Sequence, residues 1–285
     1  MMNSARLLRH INQRTRLFRA LCLIGLCVAL ISACQTLPDT IPTLSSIPMA
    51  QTAAVLTQNA PPTAYRSAIE FPLLDARLTR LPSWYSVVAV LFDGIVTTDK
   101  SRTTAQIEAQ IYRNELASTR RVLFSARGEA FGVKDSRSFE AVRIANDYYW
   151  VLQNPAACAV LKDTDTARRQ IADYTAGALL GGIKLALPTG QKAVINNQNA
   201  WEYAFAPDSL TLPIIHTDNV GTYTIAAGSL WVAPESDAVV RFSLTVNVDN
   251  VRLLEGEVPV TGQLRATYEL KEINVPYNIT VPFGC

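Results

Sequence analysis

Residues 239–248 read VVRFSLTVNV, and their side chains sort into two sets by parity. Val240, Phe242, Leu244, Val246 and Val248 point one way; Val239, Arg241, Ser243, Thr245 and Asn247 point the other. Successive side chains on a strand leave from opposite faces. A clean period of two over ten residues therefore describes a half-buried strand of an antiparallel sheet. The stretch "GQLRATYELKEI" repeats the pattern, with Leu264, Ala266, Tyr268 and Leu270 set against Arg265, Thr267 and Glu269. Glu235-Ser236-Asp237 and Gly256 mark turns beside these strands.

The same signal recurs along the chain. Residues 84–98 are rich in β-branched and aromatic side chains and read as one long strand. "AQIEAQIYR", "RRVLFSARGEAF", "SFEAVRIAND" and "YYWVLQN" follow as further strands, and "AWEYAFAP" and "GSLWVAP" add two more. Two segments break the period. Pro72 suits a first helical turn, and Leu74, Leu78 and Leu81 then form one apolar stripe that Pro82-Ser83 ends. In "DTDTARRQIADYTAGALLGGIKLAL", Thr164 or Asp165 can cap a helix that places Ile171, Tyr174, Ala178 and Leu179 on one face. The expected fold is α+β: one large curved antiparallel sheet whose concave face is covered by the helices.

The chain starts differently. Five arginines precede "LCLIGLCVALISACQT", and residues 20–33 are almost wholly apolar. That run of 14 residues is short of the roughly 20 needed to cross a bilayer as a helix. A basic start, a short apolar core and small residues before a break make a secretion signal. Ile31-Ser32-Ala33-Cys34 resembles the bacterial lipobox. The resemblance implies a diacylglycerol thioether on Cys34, removal of residues 1–33, and a new amino group open to acylation. An ordinary cleaved signal and an uncleaved signal anchor are the other readings of this segment. Residues 34–64 contain five prolines, six threonines, one charge and no aromatic residue, a composition that cannot build a core and reads as a tether. As a coil it spans about 30 Å. Residues 65–285 then form a single β-rich domain of ample size for one core.

The leader holds five of the 26 basic residues and none of the 24 acidic ones, so the chain from Cys34 onward has a formal net charge of −3. No clustered basic face suggests nucleic acid as a partner. Two cysteines remain beyond Cys34, namely Cys158 and Cys285. In an exported chain an even pair reads as one disulfide, with two free buried thiols as the alternative.

The lipobox, the "LLDARLTRLPSWYSVVAVLF" opening and the paired strands of "SLWVAPESDAVVRFSLTV" together resemble the LolA/LolB-like group of bacterial lipid carriers. Within it the likeness is to the LppX/LprG-like lipoproteins. The resemblance covers residues 65–285 and implies a half-open β-barrel whose hollow, roofed by helices, holds acyl chains. No catalytic or ligand motif defines that group, so no binding residue is carried over by match.

Signs of catalysis are few. His216 is the one histidine after the leader and stands two residues from Asp218, which on a strand puts them on opposite faces; no G-x-S-x-G elbow exists. "GALLGGIKL" echoes a phosphate loop, but its lysine is misplaced; Gly181-Gly182 reads as a helix break or a close approach to the sheet. Glu255 and Glu257 straddle a turn as solvated charge, and beyond Cys34 the chain offers one histidine and the Cys158/Cys285 pair, fewer His and Cys ligands than a metal site usually uses. The expectation is a non-enzymatic, extracytoplasmic lipoprotein without a cofactor, held to a membrane by its lipid and binding a lipid or other apolar molecule. Residues 171–187 read either as the roof, with Leu179, Leu180 and Ile183 as the candidate ligand contacts, or as an ordinary core helix. An envelope interaction or structural module with a filled core is the alternative, for which Trp84, Trp150, Trp201 and Trp231 supply the filling.

Overall fold

A row of inward side chains runs from strand to strand across eight strands of the sheet: Tyr203, Leu230, Phe242, Tyr268, Val88, Ala109, Phe124 and Phe139 are successive cross-strand neighbours. The computed structural model that reveals this row describes residues 67–153, 156–218 and 220–285. Cys34, the leader and the tether lie outside the described residues.

The first half of the domain is a meander of β2 (Ser83–Val96), β3 (Arg102–Asn114), β4 (Thr119–Gly128), β5 (Val133–Ile144), β6 (Asp147–Gln153) and β7 (Ala156–Val160), each antiparallel to the next. The second half comprises β8 (Gly182–Ile195), β9 (Gln198–Phe205), β12 (Thr222–Ala233), β13 (Ala238–Leu253) and β14 (Val260–Ile273). Short β1 (Ile69–Phe71) and β10 (Leu210–Thr211) flank β8, and β11 (Ile215–His216) pairs with β13. Pairing of β14 with β2 joins the halves. The order is β1-β8-β9-β12-β13-β14-β2-β3-β4-β5-β6-β7, and among the described residues no pairing closes β7 onto β1.

The alternation read from the sequence is the burial pattern of these strands except at Val239, which falls with the outward side chains by parity but is buried, beside the register shift between Trp231 and Val232. Val240, Phe242, Leu244, Val246 and Val248 are buried, while Arg241, Ser243 and Thr245 are partly exposed and Asn247 is exposed. Inner and outer faces are thereby defined for the whole sheet.

The helical expectations need correcting. Residues 72–77 form turns and only Leu78–Arg80 is helical, as a 3-10 helix. The leucine stripe is nonetheless real, since Leu74, Leu78 and Leu81 are all buried. Residues 163–187 hold two short helices, α1 (Thr166–Ala172) and α2 (Ala176–Leu180), and then β8. Ile183 and Leu187, expected in the helical roof, belong to that strand. Asp165 stands at the α1 N-cap position but its carboxylate accepts from the Lys162 amide at 2.9 Å, whereas Thr175 Oγ1 caps α2 by accepting from Ala178 N at 3.1 Å. Gly181 ends α2 at φ +75°, where a Cβ would run into the Thr211 carbonyl, and a Cβ on Gly182 would meet the carbonyls of Phe71 and Pro72. Only glycine permits both that backbone and that approach.

Topology explains the path of this segment. It leaves β7 at one edge of the sheet and must reach β8 beside the other edge. Ala172, Ala176, Leu179 and Leu180 are buried in the core, and α1 packs on β4, β5 and β6, so the crossing is made over the inner face. The helices therefore touch the β4–β6 part of the sheet; they are too short to cover the rest.

The chain ends on the opposite face. Tyr85 and Tyr112, outward neighbours on β2 and β3, stack at 4.3 Å, and Tyr277 meets both edge-on. Asn114 Nδ2 donates to the Tyr277 carbonyl at 3.0 Å. The tail then runs past Arg121, Glu140 and Val151 to Cys285, which is bonded to Cys158 on edge strand β7 with Cα atoms 5.2 Å apart. It forms a strap across the outer face of the first meander.

Candidate functional site

Along the inner face of β4 the side chains are Arg120, Val122, Phe124 and Ala126. The last three floor a hollow of about 100 Å³. Phe139 of β5 extends the floor, and its ring stacks on Phe124 at 4.9 Å and on Trp150 at 4.2 Å. Phe131 and Val133 form a side wall where a 3-10 turn, Glu129–Phe131, links β4 to β5. Over the floor lie Ile171, Tyr174 and Leu179 from the crossing segment. Arg137, Leu254 and Glu255 stand at the rim. Burial, and secondly the Glu255 charge, raise the Tyr174 phenol above its ordinary pKa, so it is a neutral part of the lining.

Polar contacts fasten the crossing segment to the sheet. Arg143 Nη1 on β5 donates to Asp173 Oδ1 at 2.5 Å, and Tyr148 Oη donates to Asp173 Oδ2 at 2.9 Å. Arg120 Nη2 donates to the Tyr174 carbonyl. Arg169 lies 4.3 Å over the Tyr148 ring of β6 and pairs with Asp163 within the segment itself. The segment is thus apolar beneath and ionic at one margin.

Of the candidate ligand contacts, Leu179 lines the hollow, whereas Leu180 is buried on α2 and Ile183 on β8, away from it. Ile171 and Tyr174 share the lining with Leu179, as the helical face suggested, but Ala178 is exposed. The floor residues went unremarked in the sequence; their strand alternation was the available signal. Trp84, Trp150 and Trp201 are buried and Trp231 is half-buried. His216 is exposed, and Asp218 is held by Arg252, with Arg252 Nη2 donating to Oδ1 at 2.8 Å. No cluster of three or more His, Cys, Asp or Glu side chains suited to a metal ion occurs among the described residues. No described helix is long and apolar enough to cross a membrane.

The chain is similar to a LolA superfamily protein. That protein is NE2245 from Nitrosomonas europaea, whose crystal structure aligns over 73% of this chain and 95% of its own at 9% identity, with a TM-score of 0.23. No family model matches the chain, and no curated protein matches it. At that TM-score NE2245 bears on neither mechanism nor ligand.

Proposed function

We propose that the protein is a non-catalytic, extracytoplasmic lipoprotein, anchored by lipid on Cys34, that takes the acyl part of a lipid or similar apolar molecule between β4–β5 and the crossing segment. The observation that carries this is the hollow floored by Val122, Phe124 and Ala126 and covered by Tyr174 and Leu179. Its walls offer dispersion contact and little else, so burial is the driving force, at ~0.8 kcal/mol per methylene removed from water. As it stands the hollow, about 100 Å³, falls well below the roughly 300–1,000 Å³ of ordinary ligand sites. Admission of a chain then requires outward movement of residues 161–181, two short helices whose inner contacts are mostly apolar and whose margin is held to the sheet by the Arg143–Asp173 ion pair and by hydrogen bonds from Tyr148 and Arg120.

A second reading is favoured by that same small volume and by the Phe124–Phe139–Trp150 stack: the core is filled, and the domain is an envelope interaction or structural module. The two separate experimentally. The full chain is expressed in a bacterial host, purified, and examined by native mass spectrometry for co-purifying lipid and by fluorescence for uptake of a labelled fatty acid. Uptake is expected in the parent and reduced about tenfold or more in Ala126→Leu, whose added carbons occupy the hollow. A clean apo mass with no uptake by the parent favours the filled-core module.

A further inference from the structure

Three arginines stand side by side on the inner face at one end of the hollow. Arg113 on β3 is the cross-strand partner of Arg120 on β4, and Arg120 is the partner of Arg143 on β5. Like charges directly opposite one another on a sheet repel, so such a row calls for anions. Glu115 pairs with Arg113 at 2.5 Å, and Asp173 pairs with Arg143. Arg120, in the middle, has only 2% of its surface exposed and donates to a neutral carbonyl, that of Tyr174. Its Nε and the Nε of Arg143 are buried with no hydrogen-bond acceptor among the described residues. Burial pushes the Arg120 guanidinium down to about 10, which leaves it cationic at neutral pH. A buried guanidinium with an open donor is costly unless an oxyanion completes it.

The row adjoins the hollow along β4. Arg120 precedes Val122 on the same face of β4, about 7 Å away along the strand. Tyr174 belongs to both: its carbonyl accepts from Arg120 while its ring covers the apolar floor. Asp173, which pairs with Arg143 and whose charge also acts on Arg120, is carried by the crossing segment and not by the sheet, whereas Glu115, the partner of Arg113, directly follows β3.

We propose that Arg113, Arg120 and Arg143 form the headgroup site for an amphiphile with a carboxylate or phosphate head, and that Asp173 occupies this site until the ligand's own anion displaces it. The proposal rests on the acyl-binding reading above and adds the ligand class and the release step. The planar guanidinium fork matches either oxyanion by paired hydrogen bonds. When the incoming head takes Arg143 and Arg120 from Asp173 and the Tyr174 carbonyl, the same residues that fasten the crossing segment let go, and the tail enters beneath it. An uncharged lipid has no means to do this.

The test uses the full chain with three probes at a pH where carboxylates are ionised: a fluorescent fatty acid, its methyl ester, and inorganic phosphate as a tailless competitor. The acid is expected to bind about tenfold or more tighter than the ester, the worth of a good charge-assisted pair. Arg143→Gln, at a partly exposed position that spares the core, should bring the two within about twofold of each other. Asp173→Asn removes the internal competitor and should tighten the acid several-fold while leaving the ester unchanged. Equal binding of acid and ester in all variants overturns the headgroup site and leaves the acyl-binding reading intact. Failure to bind either probe overturns that reading and this proposal with it. Phosphate binding as tight as the acid's overturns the amphiphile assignment in favour of a free-anion site.

Discussion

Arg143 and Asp173 meet at 2.5 Å, and this ion pair ties the middle of the crossing segment to the sheet. The partners come from β5 and from the turn between α1 and α2, and both side chains are partly exposed. Asp173 also accepts from Tyr148, so one carboxylate serves two strands.

Arg143→Ala should therefore loosen residues 161–181 more than it destabilises the protein. The global cost is expected at about 1–2 kcal/mol, between an exposed and a buried pair. Hydrogen exchange should quicken in α1 and α2 while β13 and β14 stay protected. Uniform acceleration across the sheet would show that the pair supports the whole fold instead.

The tail strap depends on its terminal bond. Cys285→Ser opens a link across 127 residues and should cost about 2–5 kcal/mol, measured by denaturant unfolding of the variant against the parent. Limited proteolysis should then cut within residues 274–285 first, because Tyr277 and Asn114 alone do not hold the last residues down. An unchanged midpoint would mean that the outer face is stable without the strap.

Two glycines with positive φ bear on strain and crowding. Gly190 has φ +85° and open space around its missing Cβ, so Gly190→Ala should cost only about 1 kcal/mol. Gly181 has φ +75° and faces the Thr211 carbonyl, so Gly181→Ala should cost upward of about 3 kcal/mol. Thermal melts of both variants check the difference; equal losses would place the whole effect in the backbone angle.

Alkaline pH should destabilise the protein through its tyrosines. Burial holds the Tyr268 hydroxyl well above its ordinary range, and burial likewise raises Tyr174. In the unfolded chain both release their protons near pH 10. Above that pH the folded state binds more protons than the unfolded one, so stability present below pH 10 is lost as pH rises, by about 1.4 kcal/mol per pH unit for each retained proton. Melts between pH 8 and 11.5, with tyrosinate absorbance recorded alongside, test this. Complete tyrosine ionisation before unfolding would contradict it.

Sequence and structure agree most where side chains alternate. The period of two in β13 and β14 is a local property, imposed by the pleat wherever one face is buried, and it survives into the burial of Phe242, Leu244 and Tyr268. The leucine stripe of residues 74–81 identified buried side chains but not their backbone, since turns can present leucines to a core as well as a helix can. The apolar run after Ile171 combined helix and strand because a short buried stretch carries no distinguishing period; Gly181 and Gly182 divide it, for a steric reason located on Thr211 and Pro72.

What the sequence determined alone is the half-buried strand pattern, the early buried leucines, and a cysteine pair that the fold joins across 127 residues. The open sheet, the crossing of its inner face and the row Arg113–Arg120–Arg143 were decided only in three dimensions. Alternation tells which way a side chain points, whereas neighbours across strands depend on register, and register is set by turns and by the packing of a whole face at once.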